Sequence, residues 1–89
     1  MKWFVYILRT NKNTLYTGIT IDLEKRLKSH KEGKGAKYMR NFAEFELVYK
    51  EVALTRSEAL KREARIKKLT KQQKEAMVAS FLPTKDSLI

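Results

Sequence analysis

The sequence predicts an α/β domain with its elements in the order β-β-α-β-α-α, and three observations carry that expectation. The first twenty residues hold two short runs, Phe4-Val5-Tyr6 and Tyr16-Thr17-Gly18, in stretches rich in aromatic and β-branched residues, with the polar Asn11-Lys12-Asn13 between them. That is a hairpin pattern. Two later stretches open with helix-start signals and continue with apolar residues at helical spacing, and an alternating stretch lies between them.

The first strand, about Lys2 to Arg9, is apolar on both faces, as a central strand covered on two sides must be. The second runs from about Thr14 to Thr20. If the hairpin folds about Lys12, opposed residue numbers sum to 24, so Tyr6 faces Gly18 and Leu8 faces Tyr16, with both phenols on one face. A glycine opposite a tyrosine marks a place where something bulky approaches the backbone. The plainer reading is that two tyrosines pack a sheet.

Asp22 is a favourable helix cap, and the helix it opens runs to about Glu32, where Gly33 stops it. Leu23, Arg26, Leu27 and His30 share one stripe, which must face the sheet because it carries the only apolar residues of that helix. An arginine on such a stripe needs a carboxylate or a bound anion. His30 reads either as a satisfied, partly buried histidine or as a catalytic one.

Gly33 to Lys37 reads as a flexible basic loop, too short for a phosphate-cradling P-loop and a mobile backbone contact at most. A third strand, about Phe45 to Val52, should place Phe45, Leu47 and Tyr49 on one face and Glu46, Val48 and Lys50 on the other. Thr55-Arg56-Ser57-Glu58 is a capping box that opens the second helix. On it Ala59, Leu60, Glu63, Ile66 and Lys67 fall in one sector, with Glu63 near its centre. A carboxylate there needs an ion pair, with Lys67 or Arg26, or a metal. A last helix starts at Thr70 with Ala76, Met77 and Phe81 as packing residues, and Pro83 ends it.

The chain has 89 residues, and the expectation is one domain over residues 1–82 with a disordered tail at 83–89. It has no cysteine, which excludes disulfides and thiolate metal sites and fits a reducing cytoplasm. The apolar run Trp3 to Leu8 is too short for a membrane span. Net charge is +10, and its excess is concentrated in Lys25 to Arg40 and Lys61 to Lys74, with seven basic residues against one acid in each. Such clustering points to a polyanionic partner, nucleic acid above all, against the alternative of a merely solvated surface.

Taken in order, Phe4-Val5-Tyr6, Tyr16-Thr17-Gly18, Arg26, His30 and Glu63 resemble the GIY-YIG nuclease superfamily, and the chain is similar to its small stand-alone bacterial branch from Trp3 to about Leu69. The resemblance implies a three-stranded antiparallel sheet flanked by helices, and hydrolysis of a DNA phosphodiester with one divalent ion, Mg²⁺ or Mn²⁺, held by Glu63. It further implies that Arg26 stabilises charge on the phosphate, that Tyr6 and Tyr16 orient the attacking water or take its proton, and that His30 assists. Gly18, Lys34, Lys37, Arg40 and Lys67 are the expected nucleic-acid contacts.

Phe4 and Thr17 depart from the first motif's Gly and the second motif's Ile, and Ile19 sits where some members carry Lys. Three functions follow: a metal-dependent endonuclease in DNA repair or processing, monomeric, with specificity supplied by a partner protein; a basic nucleic-acid-binding module without catalysis; or an interaction domain whose charge serves solubility.

Overall fold

The computed structural model describes residues 2–42 and 44–81, so the expected tail at 83–89 and the stop at Pro83 lie outside the described residues. Three strands, β1 (Trp3–Thr10), β2 (Leu15–Thr20) and β3 (Phe45–Ala53), form one antiparallel sheet in the order β2-β1-β3. Helices α1 (Leu23–Lys31), α2 (Arg56–Lys68) and α3 (Lys71–Phe81) flank it, and a short 3₁₀ turn, Lys37–Asn41, precedes β3. The order is the one expected, the 3₁₀ turn being the addition.

β1 is the middle strand, and Val5, Tyr6, Ile7 and Leu8 are all buried, which is why it is apolar on both sides. Tyr6 and Leu8 point to one face, where Leu23 and Leu27 of α1, Met39, Phe45 and Leu47 pack on them. Val5 and Ile7 point to the other, against Ala59 and Ile66 of α2 and Val78 of α3. The sheet therefore has α1 on one side and α2 with α3 on the other.

The helix ends follow their caps. Asp22 accepts a hydrogen bond from the Lys25 amide at 3.0 Å, and Gly33 closes α1 with φ of 74°, its amide bonded to His30 O and the next amide to Ser29 O. That pairing is a Schellman motif, which favours glycine at its left-handed position. Thr55 caps α2 through the Glu58 amide at 3.1 Å, while the Glu58 carboxylate accepts from the Leu54 amide at 3.2 Å. Thr70 and Gln73 exchange bonds of 2.9 and 3.1 Å at the start of α3.

Three packing expectations are corrected. β3 bulges: Leu8 pairs with Leu47 but Ile7 pairs with Tyr49, so Val48 is the extra residue and the alternation inverts there. Tyr49 consequently leaves the side of Phe45 and Leu47 and joins Val48 over α2 and α3, where its hydroxyl donates to Glu51 Oε1 at 2.7 Å and its ring meets Phe81. Leu60 is 38% exposed because the line of burial on α2 runs through Ala59 and Ile66. On α3, Val78 takes the core position and Ala76 is exposed.

Ion pairs bolt the helices to the sheet. Arg62 of α2 donates from Nε to both Glu51 oxygens at 2.9 and 3.0 Å. Arg9 of β1 meets Glu75 of α3 in a two-pronged pair at 2.6 and 2.8 Å and also donates to Asn13 Oδ1, while Lys71 reaches the Asn13 carbonyl. Asn13 sits at φ of 62° in the hairpin turn, a conformation asparagine tolerates. No helix among the described residues is long and apolar enough to cross a membrane.

Candidate active site

The register pairs Tyr6 with Gly18 and Leu8 with Tyr16, as the hairpin arithmetic requires. A Cβ on Gly18 would stand 2.6 Å from Tyr6 Oη, 2.8 Å from its Cζ and 3.1 Å from Tyr16 Cε2. The bulky group over this glycine is thus the Tyr6 ring itself. Gly18 is buried beneath it, which corrects its expected place as a nucleic-acid contact: the phenol covers the surface a ligand would need.

Tyr6 is 1% exposed, its ring is tilted against that of Tyr16, and its Oη lies 3.1 Å from His30 Nε2. The Tyr6, Tyr16 and His30 rings form a triangle with centroids 5.8 to 6.3 Å apart, and Phe45 stands edge-on to His30 at 5.9 Å. α1 delivers His30 by ending its apolar stripe there, and the ring is 2% exposed.

Electrostatics separate the titratable members. Burial pushes the Tyr6 phenol well above its usual range; Tyr16 and Glu63 add to the rise and Arg26 opposes it. Burial also pushes the His30 imidazole down, and the Arg26 cation pushes it further the same way. Both groups are neutral at neutral pH. Arg26 comes from α1 and Glu63 from α2, helices on opposite faces of the sheet, and the charge of each bears on the Tyr6 phenol.

Arg26 is half-buried and has no carboxylate partner among the described residues; it lines a groove of about 320 Å³ with Thr20, Ile21, Asp22, Lys25 and Ser29. Glu63 is 19% exposed and pairs with Lys67 Nζ at 3.2 Å, the i, i+4 alternative, and not with Arg26. Lys67 in turn lines a groove of about 310 Å³ with Leu15, Tyr16, Thr17 and Lys74. No group of three or more His, Cys, Asp or Glu able to hold a metal occurs among the described residues. Glu63 as a lone acid still fits Mg²⁺, which takes one or two carboxylates and fills its remaining positions with water and substrate phosphate.

The segment after α1 is not a free loop. Gly35 is buried, and a Cβ on it would meet His30 Nδ1 at 2.0 Å; Ala36 and Met39 join the cluster around Tyr6, and Arg40 Nε donates to Gly35 O at 3.2 Å. Its anchoring corrects the expectation of a mobile contact, while Lys34, Lys37 and Arg40 remain exposed along it. Sequence reasoning passed over Gly35, whose signal was a second glycine two residues after the helix stop. It also passed over Lys74, which α3 brings beside Tyr16 and Lys67. Thr17 Oγ1 is buried with no hydrogen-bond partner among the described residues.

The chain matches the family model of the GIY-YIG catalytic domain over residues 2–76. A UPF0213 protein of Cronobacter sakazakii is 52% identical over 81 residues, covering 91% of this chain and 85% of that protein. The UPF0213 protein YhbQ of Escherichia coli K12 is 52% identical over 77 residues, covering 86% and 77%. Two solution NMR structures share the fold: a UPF0213 protein of Bacillus halodurans, with TM-score 0.58, 39% identity and 89% and 84% coverage, and a protein of E. faecalis, with TM-score 0.64, 38% identity and 91% and 86% coverage.

Proposed function

The chain belongs to the GIY-YIG catalytic domain family, a nuclease-type family, and from that premise we propose that it is an endonuclease hydrolysing DNA phosphodiester bonds. The observation that carries this reading is Arg26, a half-buried guanidinium with no carboxylate partner among the described residues, whose charge acts on the His30-bonded phenol of Tyr6 together with that of the Glu63 carboxylate. A guanidinium so placed is a fork for two phosphate oxygens.

In this reading Arg26 binds the scissile phosphate and stabilises the charge that develops on it. Tyr16, half-buried where Tyr6 is closed off, is the phenol that orients the attacking water. Glu63 would hold a divalent ion, Mg²⁺ or Mn²⁺, which supplies Lewis-acid polarisation of the phosphate when bound. Lys67, by pairing with Glu63 at 3.2 Å, holds the acid in a fixed orientation. Lys34, Lys37, Arg40, Lys67 and Lys74 contact flanking phosphates. The domain works as a cytoplasmic monomer in DNA processing or repair, and a partner protein supplies selectivity.

The test is incubation of pure protein with nicked, flapped and single-stranded DNA in Mg²⁺, Mn²⁺ or EDTA, beside Arg26→Ala and Glu63→Gln. Cleavage should vanish in EDTA and with Glu63→Gln, and Arg26→Ala should lower kcat by about 10²–10³-fold. Product that persists with the chelator or without the acid overturns the metal-dependent reading. The Glu63–Lys67 pair favours one second reading, a binding module whose acid is structurally committed. That module binds nucleic acid with steep salt dependence and gives no product in any metal.

A further inference from the structure

Gly35 and His30 approach each other more closely than a side chain on Gly35 would permit. A Cβ there would lie 2.0 Å from Nδ1, 2.7 Å from Cε1 and 2.8 Å from Cγ of the imidazole. Gly35 does not occupy the left-handed region, which among the glycines only Gly33 does. Backbone conformation would therefore accept alanine, and the His30 ring alone excludes it. The glycine is itself held, by the Arg40 bond to its carbonyl and by Met39 N donating to Ala36 O at 2.9 Å where the 3₁₀ turn begins.

The imidazole is consequently gripped between the Gly35 backbone and the Tyr6 hydroxyl, with Tyr16 and Phe45 against its edges. One more carbon–carbon bond puts the Gly35 Cα within about 3.5 Å of Nδ1. Nδ1 has no hydrogen-bond partner among the described residues. An N–H at that atom would be driven into a methylene group and left unsatisfied, whereas a bare lone pair there meets only a weak C–H donor. The imidazole proton therefore belongs on Nε2, from which it is donated to Tyr6 Oη. Tyr6, receiving that bond, has one O–H of its own to direct elsewhere, and Tyr16 is the phenol beside it, the two rings 6.3 Å apart and both over Gly18.

We propose that Gly35 is a positioning residue for the nuclease site: it holds His30 with its proton on Nε2 and donated to Tyr6, so that the Tyr6 O–H is turned away from His30 and towards Tyr16. The Tyr16 oxygen is then the acceptor within reach of the Tyr6 O–H, half-buried beside the groove that Lys67 and Lys74 line, and accepting there makes the Tyr16 O–H the stronger donor for orienting a water at the phosphate. This last step rests on the nuclease reading; the order of the bonds does not.

His30 is the only histidine in the chain, so long-range ¹H–¹⁵N spectra report it without ambiguity. They should show the Nε2-protonated neutral ring in the wild-type protein at neutral pH, and a proton on Nδ1 overturns the proposal. Gly35→Ala should displace the ring and abolish that signature. In a His30→Ala background the added methyl occupies vacated space, so Gly35→Ala should cost no further thermal stability; losses that simply add would also overturn it. In cleavage assays Gly35→Ala should lower kcat by about a hundredfold with KM little changed, the cost of a misplaced catalytic group. Unchanged kcat with a displaced ring refutes the link to Tyr16. A wild-type protein that shows the Nε2 tautomer yet cuts no DNA overturns the nuclease reading while leaving the bond order intact.

Discussion

Glycine beneath a tyrosine is the unit on which this site is built. The Tyr6 hydroxyl occupies the space where a Gly18 side chain would stand, so Gly18→Ala must push the phenol off His30. The expected cost is about 1–3 kcal/mol, seen as a lowered Tm together with loss of the Nε2-protonated signature of His30. Thr17 offers the opposite test. Its buried hydroxyl has no partner, so Thr17→Val, which keeps the shape and removes the unsatisfied group, should raise stability by about 1 kcal/mol in urea unfolding. The Tyr6–Gly18 pairing was legible because strand register is arithmetic. Lys67 and Arg26 were both open as ion-pair partners of Glu63, and side-chain geometry chose Lys67.

Among the elements, α3 is docked through charge as well as through bulk. Val78 is its one fully buried residue, whereas Glu75 binds Arg9 with two prongs and Lys71 besides. The Arg9 guanidinium holds the Glu75 carboxyl down at about 2, against an ordinary 4.5. A carboxyl lowered in the folded state adds stability that is fully present above the unfolded value and is lost as pH falls from 4.5 towards 2. His30, lowered by burial, acts in the same sense in a higher window: its contribution is present above the ordinary 6.5 and declines below it. The Tm should therefore fall on acidification in two stages, and Glu75→Gln should remove the lower one only. High salt should weaken the Glu75 part, since that pair is one-third exposed.

For the whole molecule the governing quantity is a net charge of +10. DNA binding measured in EDTA should weaken linearly in log affinity against log salt, with Lys74→Ala shallower by about one unit of slope and no change in fold by circular dichroism. An unaltered slope would remove α3 from the nucleic-acid surface. The core sets the other scale: Ile7 is completely buried in the central strand, and Ile7→Ala should cost about 2–5 kcal/mol in denaturant unfolding.

Element boundaries fell within a residue or so of their expected places, since caps, turn residues and alternation act over a few positions and each leaves its mark in adjacent letters. Hairpin register, and with it the placing of both phenols on one face, came from the same short range. Distance along the chain hid the remainder. The Val48 bulge exists only relative to β1, the opposite-sided delivery of Arg26 and Glu63 depends on which face each helix covers, and the Gly35–His30 contact needs the segment after α1 folded back upon it. Those are contacts between separately formed pieces, fixed by packing against a common sheet, and no local pattern encodes the partner that each will meet.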